Sequence, residues 1–250
     1  MKALLLIAAA LALSASRARA QGGPPMITDD PGTPGDGHWE INLAWTEQRT
    51  PGATLDGIPL LDANYGLGDR IQLNFQASYN DARAGGEPAE DGLSDSQLAV
   101  KWRFYDAGED TLQVSTYPRF TFVNPASDSD RRGTADPHDS FLLPVEVLRN
   151  LGPVSVNIDL GHAFSNAAYD RGWMGGLCVG RNVVKGWELD AEVHATTSET
   201  LDASESVLNF GSRIDLSEKA TVLLAVGRDL HNSLAPRSSL LTYIGVQIRL

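Results

Sequence analysis

Charged residues of both signs recur on one parity of a chain that otherwise alternates apolar with polar. Lys101, Arg103, Arg119, Arg213 and Arg249 supply positive charge there, and Asp62, Glu146, Asp159, Glu188, Asp190 and Glu192 supply negative charge. Such a set can do two kinds of chemistry. Opposite charges can pair across a narrow interior and close it, or they can line a wet path and set the field felt by a passing solute. Covalent chemistry needs a nucleophile, a base and an orienting group together. His194-Ala195-Thr196 has the spacing that puts base and hydroxyl on one strand face but offers only threonine, and His162 with Ser165 has the wrong spacing. These histidines read as ordinary interior or strand-end residues, and no enzyme is expected. Neither a cofactor nor a metal site is expected, because Cys178 is the single cysteine and sits passively between Leu177 and Val179.

The elements that must position those charges are β-strands. Between Arg70 and Tyr79, the residues Ile71, Leu73, Phe75, Ala77 and Tyr79 take one parity and Gln72, Asn74, Gln76 and Ser78 the other. One face of such a strand is apolar and the other wet. Similar runs recur around Leu98–Tyr105, Leu112–Phe122 and Trp187–His194. Turn residues divide the chain into strands at roughly 38–49, 58–67, 70–80, 95–105, 111–123, 140–149, 154–164, 172–182, 187–197, 206–215, 220–230 and 240–250. Repeats of this length predict an all-β transmembrane antiparallel barrel of about twelve strands with a polar lumen.

Three further features bear on that reading. Lys2, the apolar run Ala3–Leu13 and Ala18-Arg19-Ala20 predict an export signal over residues 1–20, too short to span a bilayer permanently. Odd-numbered links (50–57, 81–94, 124–139, 165–171, 198–205, 231–239) are long and polar, whereas even-numbered ones are short, as for outer loops and periplasmic turns. Trp39, Tyr65, Trp102, Phe104 and Trp187 fall near the expected periplasmic strand ends, and Tyr79, Phe120, Phe122, Phe141, Phe164 and Trp173 near the outer ends, as in aromatic girdles. The alternative fold is a periplasmic sandwich or lipocalin-like barrel, which would bury the apolar parity and expose the polar one.

Residues 21–37 carry Pro24, Pro25, Pro31 and Pro34 among glycines and are expected to be irregular, ahead of a barrel over 38–250. Within them stands Thr28-Asp29-Asp30-Pro31, followed by Gly37-His38-Trp39-Glu40, and later by Pro59–Leu67 and Asp69–Leu73. Over Thr28 to Tyr79 the chain resembles a family of outer-membrane transporters grouped with the meta-pathway of phenol degradation. The resemblance implies a bacterial outer-membrane channel that takes up small compounds, aromatic ones among them.

The partners expected are outer-membrane lipid, an unidentified small-molecule solute, and the assembly machinery through the C-terminal strand, which alternates Ile244, Val246, Ile248 and Leu250 with polar residues and glycine. A formal net charge of −12 argues against nucleic acid, which selects basic surfaces. Carboxylates around Asp81–Asp95 and Asp128–Asp139 lack the calcium-loop pattern and read as solvated loops. Twelve strands fall between barrels filled by their own side chains and open porins. The sequence favours a narrow or gated path for small solutes. The alternatives are a non-conducting structural barrel and, further off, a lipid-modifying enzyme.

Overall fold

In the computed structural model, described for residues 23–108, 111–124, 134, 138–167 and 171–250, the chain is a closed antiparallel β-barrel. The expected export signal lies outside the described residues, as do Asp128, Asp130 and Asp136. The strands are β1 (Trp39–Thr50), β2 (Ala53–Leu67), β3 (Ile71–Ala84), β4 (Glu90–Asp106), β5 (Leu112–Thr116), β6 (Arg119–Phe122), β7 (Ser140–Leu151), β8 (Val154–Ser165), β9 (Gly172–Val184), β10 (Trp187–Ser198), β11 (Ser204–Ser217), β12 (Ala220–Asn232) and β13 (Leu240–Arg249). Apart from β5 and β6, which both pair with β4 and β7, each strand pairs with its sequence neighbours, and β13 returns to pair with β1, closing the sheet.

The single strand expected over 111–123 is broken in two. Pro118 has no N–H to give the ladder, yet its carbonyl accepts from the Val100 N–H at 3.1 Å, which keeps the break seated on β4. Strands β5 and β6 therefore share one position between β4 and β7, and the barrel has twelve strand positions.

Burial decides which face meets lipid. On β10, Leu189 and Val193 are 44% and 45% exposed, while Asp190 and Glu192 are 5% and 1% exposed. A soluble sandwich or lipocalin-like barrel would show the reverse, so that alternative is overturned. The outward aromatics form the expected bands, with Trp39 against Tyr65 at 4.9 Å and Trp102 against Phe104 at 5.6 Å near the end where β1 starts and β13 finishes. At the opposite, outer end, Phe141 lies 6.3 Å from Phe164.

Links at the end where β1 starts are short, such as Gly152-Pro153 between β7 and β8. Two outer links are much shorter than expected. Strands β1 and β2 are joined by Pro51-Gly52 alone, and β3 and β4 by residues 85–89. The polar stretches 53–57, 80–84 and 90–94 pair into hairpins that continue the ladder beyond the apolar belt, as in Asp56↔Asp81 and Asp81↔Asp91.

Residues 23–36 do not join the sheet; much of the segment is buried, and it lies inside the barrel. Prolines deny it a regular ladder. Glycines on the inward parity make its bed: a Cβ at Gly176 would collide with Thr28 Oγ1, and one at Gly211 with the Met26 methyl group. The segment leaves the interior past the β2–β3 turn, where Thr33 Oγ1 donates to the Asp69 carbonyl at 2.9 Å and the Gly68 N–H donates to Asp36 at 2.8 Å.

Candidate functional site

The charged parity points inward, and the N-terminal segment threads through it. Lys101 on β4 and Arg119 on β6 face the segment from one wall. Lys101 Nζ lies 2.8 Å from Asp29 Oδ1 and donates to the Asp30 carbonyl at 2.5 Å, and Arg119 lies 3.5 Å from Asp29 Oδ2. Burial acts to raise the Asp29 pKa, but the two cations outweigh it and hold the carboxyl below its ordinary range. Tyr117, in the break between β5 and β6, presents its ring to both cations, 4.6 Å from Lys101 and 4.5 Å from Arg119. Glu146 on β7 completes the cluster, 3.8 Å from Lys101 and 3.5 Å from Arg119, and accepts from the Ser115 hydroxyl at 2.7 Å.

The opposite wall binds the backbone of the segment. Glu192 on β10 accepts from the Ile27 N–H at 3.1 Å and from the Thr28 N–H, and also from Asn209 at 2.9 Å. Asp159 on β8 accepts from the Asp29 N–H at 3.5 Å. Arg213 on β11 donates to the carbonyls of Gly23 and Pro24 at 2.8 and 3.1 Å, and pairs with Asp190 at 3.1 Å. Glu188 lies on the same inward face, where it and Asp190 would collide with a Cβ at Gly180.

Asp62 belongs to a different arrangement, a cluster of amides on β1–β3. It accepts from Asn42 at 2.9 Å and Asn74 at 2.5 Å, and Asn64 accepts in turn from Gln72 at 2.7 Å. Two of the expected residues sit at the mouth on the side where β1 starts and β13 finishes. Arg103 pairs with Asp106 at 3.1 Å and donates to the Asp69 carbonyl, while Arg249 donates to Gln247 and Thr221.

Asp29 and Tyr117 were not expected at the site. Tyr117 shares the parity of Ser115 and Arg119, so the sequence held a signal for it. Asp29 stands in a segment without periodicity, which gives no face to read. His194 is buried and inward, flanking the same glycine as Thr28. His162 points outward between the rings of Phe164 and Trp173 at 4.4 and 4.6 Å.

An apolar belt outside, a closed ladder and a polar, charged interior together describe a barrel that spans a membrane. The chain is an outer-membrane β-barrel. Among solved structures, it is similar to the KdgM porin in complex with disordered oligogalacturonate, at a TM-score of 0.59 and 9% identity over 83% of this chain and 98% of that one. It is also similar to the translocator domain of the autotransporter NalP from Neisseria meningitidis, at a TM-score of 0.50 and 10% identity over 86% of this chain and 89% of that one. At these identities the likeness is one of fold. No family model matches the chain, and no curated protein does.

Proposed function

We propose that the protein is a gated outer-membrane channel for small solutes, aromatic compounds among them, in which residues 23–36 occupy the path and must move for passage. The observation that carries this reading is how the interior charges are spent. A purely structural barrel would satisfy its interior charges wall to wall alone, whereas here Lys101, Arg119 and Arg213, besides pairing with Glu146 and Asp190, bind one separate segment, as do Glu192 and Asp159. The amide and carboxylate contacts they make are ones that water or a polar solute can replace. The inward set from Asp62 to Arg249 is proposed to line the path once the segment leaves, with Arg103 and Arg249 at its mouth. Residues 1–20 are proposed as a cleaved export signal, and β13, which ends beside the Trp39–Leu250 seam, as the segment read by the assembly machinery.

Planar-bilayer recordings of the mature chain and of a variant lacking residues 23–34 test the proposal. The variant is expected to show a steady conductance well above that of the intact protein, with heat-modifiable migration retained. If the folded variant neither conducts nor admits small solutes into liposomes, the structural-barrel reading replaces the channel.

A further inference from the structure

Beyond the N-terminal segment, on its outer side, the interior changes character. A cavity of about 260 Å³ lies between the segment and the wall formed by β1, β2 and β11–β13. Its size is near the lower end of pockets that hold small molecules, roughly 300–1,000 Å³. Although Thr46 and Gln48 keep polar groups on this wall, other inward positions here carry Leu55, Ala225 and Leu241, beside the ring of Tyr243. All four remain partly exposed, so they face space instead of packing on one another. The segment contributes Ile27, which is 41% exposed although its neighbours Met26 and Thr28 are buried. Among the described residues, lysine, arginine, aspartate and histidine are absent from the lining. Glu47 is the one charged residue among the described lining, and it lies on the outward parity, bonded to Arg49. Asn209 and Asn80 lie at the edge, each amide already donating, to Glu192 and to the Thr134 carbonyl.

An apolar surface in a water-filled interior is unfavourable unless something covers it. A charged solute would find no counter-ion there to offset its desolvation. We propose that this cavity is a binding site for a compact, uncharged, mainly apolar solute, which rests on Ile27 and thereby touches the segment that occupies the path. The inference rests on the channel reading for its role, but the site itself stands on the cavity's own lining.

Thiol protection tests it. Cys178 is fully buried, so a cysteine introduced by Leu241→Cys is the one a small thiosulfonate reagent reaches in the cavity. Ser233→Cys, on the outer β12–β13 link, serves as the control position. Hexan-1-ol is expected to slow modification of Leu241→Cys at least threefold, and hexanoate at equal concentration to leave it unchanged. Neither should protect Ser233→Cys. Adding Ile27→Asp to Leu241→Cys should abolish the protection in protein that remains heat-modifiable. Equal protection by alcohol and carboxylate, or none by either, overturns the site. A protein that conducts after deletion of 23–34 yet shows no protection loses only this inference. Protection without any conductance keeps the site and removes the channel.

Discussion

Two walls of the barrel hold the same segment by opposite means. The wall of β4 and β6 grips chiefly a side chain, with Lys101 and Arg119 closing on the Asp29 carboxylate, and Lys101 adds one bond to the Asp30 carbonyl. The wall of β8, β10 and β11 grips backbone, with Asp159 and Glu192 taking N–H groups and Arg213 taking carbonyls. The first grip is specific to one residue of the segment. The second would hold almost any sequence able to follow that path, so specificity is concentrated at Asp29 and at the glycines that make room for its neighbours.

The largest effect is therefore expected from Asp29→Lys. It would set a third cation against Lys101 and Arg119 in a desolvated interior, where removing one member of a buried pair already costs about 3–5 kcal/mol. The segment should leave, and conductance should approach that of the 23–34 deletion. A variant that stays closed would show that the backbone-binding wall suffices alone. Gly176→Ala comes next, since its Cβ would collide with Thr28 Oγ1 and Asp159 Oδ1 while leaving every charge in place. It should raise the susceptibility of residues 23–36 to added protease severalfold in folded protein, and unchanged protection would mean that the bed of glycines does not position Thr28.

Glu192→Gln should act more weakly. Its amide oxygen still accepts one bond, so the loss is that of charge assistance and one acceptor, on the order of 1–2 kcal/mol. Open events should become more frequent without becoming permanent; an effect as large as that of Asp29→Lys would invert the ranking of the two walls. The smallest effect is that of mild acid. Because the folded Asp29 pKa is depressed, its grip is complete above the ordinary aspartate value of about 4 and is lost only as the pH falls through the depressed value. Conductance should not change between pH 8 and pH 5 on account of this group. An opening in that window that Asp29→Asn abolishes would contradict the assignment.

Most of the barrel was legible because lipid and water impose a period of two on every spanning strand. Strand β10 was expected over 187–197 and runs Trp187–Ser198. Strand β3 was expected to end near 80 and continues to Ala84, because residues beyond the apolar belt pair without needing an apolar face. The inward charges were legible by the same parity, since an Arg or Lys facing mid-bilayer costs about 2–4 kcal/mol. Their partner was not. Parity says which way Lys101 points but nothing of what an aperiodic, proline-rich stretch places opposite it, and Asp29 comes from 72 residues earlier in the chain.

The segment is also a ligand that never diffuses away. It is joined to β1 through Gly37 and His38, with the Gly37 N–H bonded to the Gly66 carbonyl at 3.0 Å. Once displaced, it returns by an intramolecular step, at an effective concentration of millimolar order for so short a tether. A solute competing for Glu192 or Lys101 by mass action alone would have to exceed that local concentration in proportion to its weaker binding. Opening should thus appear in single-channel records as brief bursts separated by long closures, their duration set by the segment's return and independent of protein concentration.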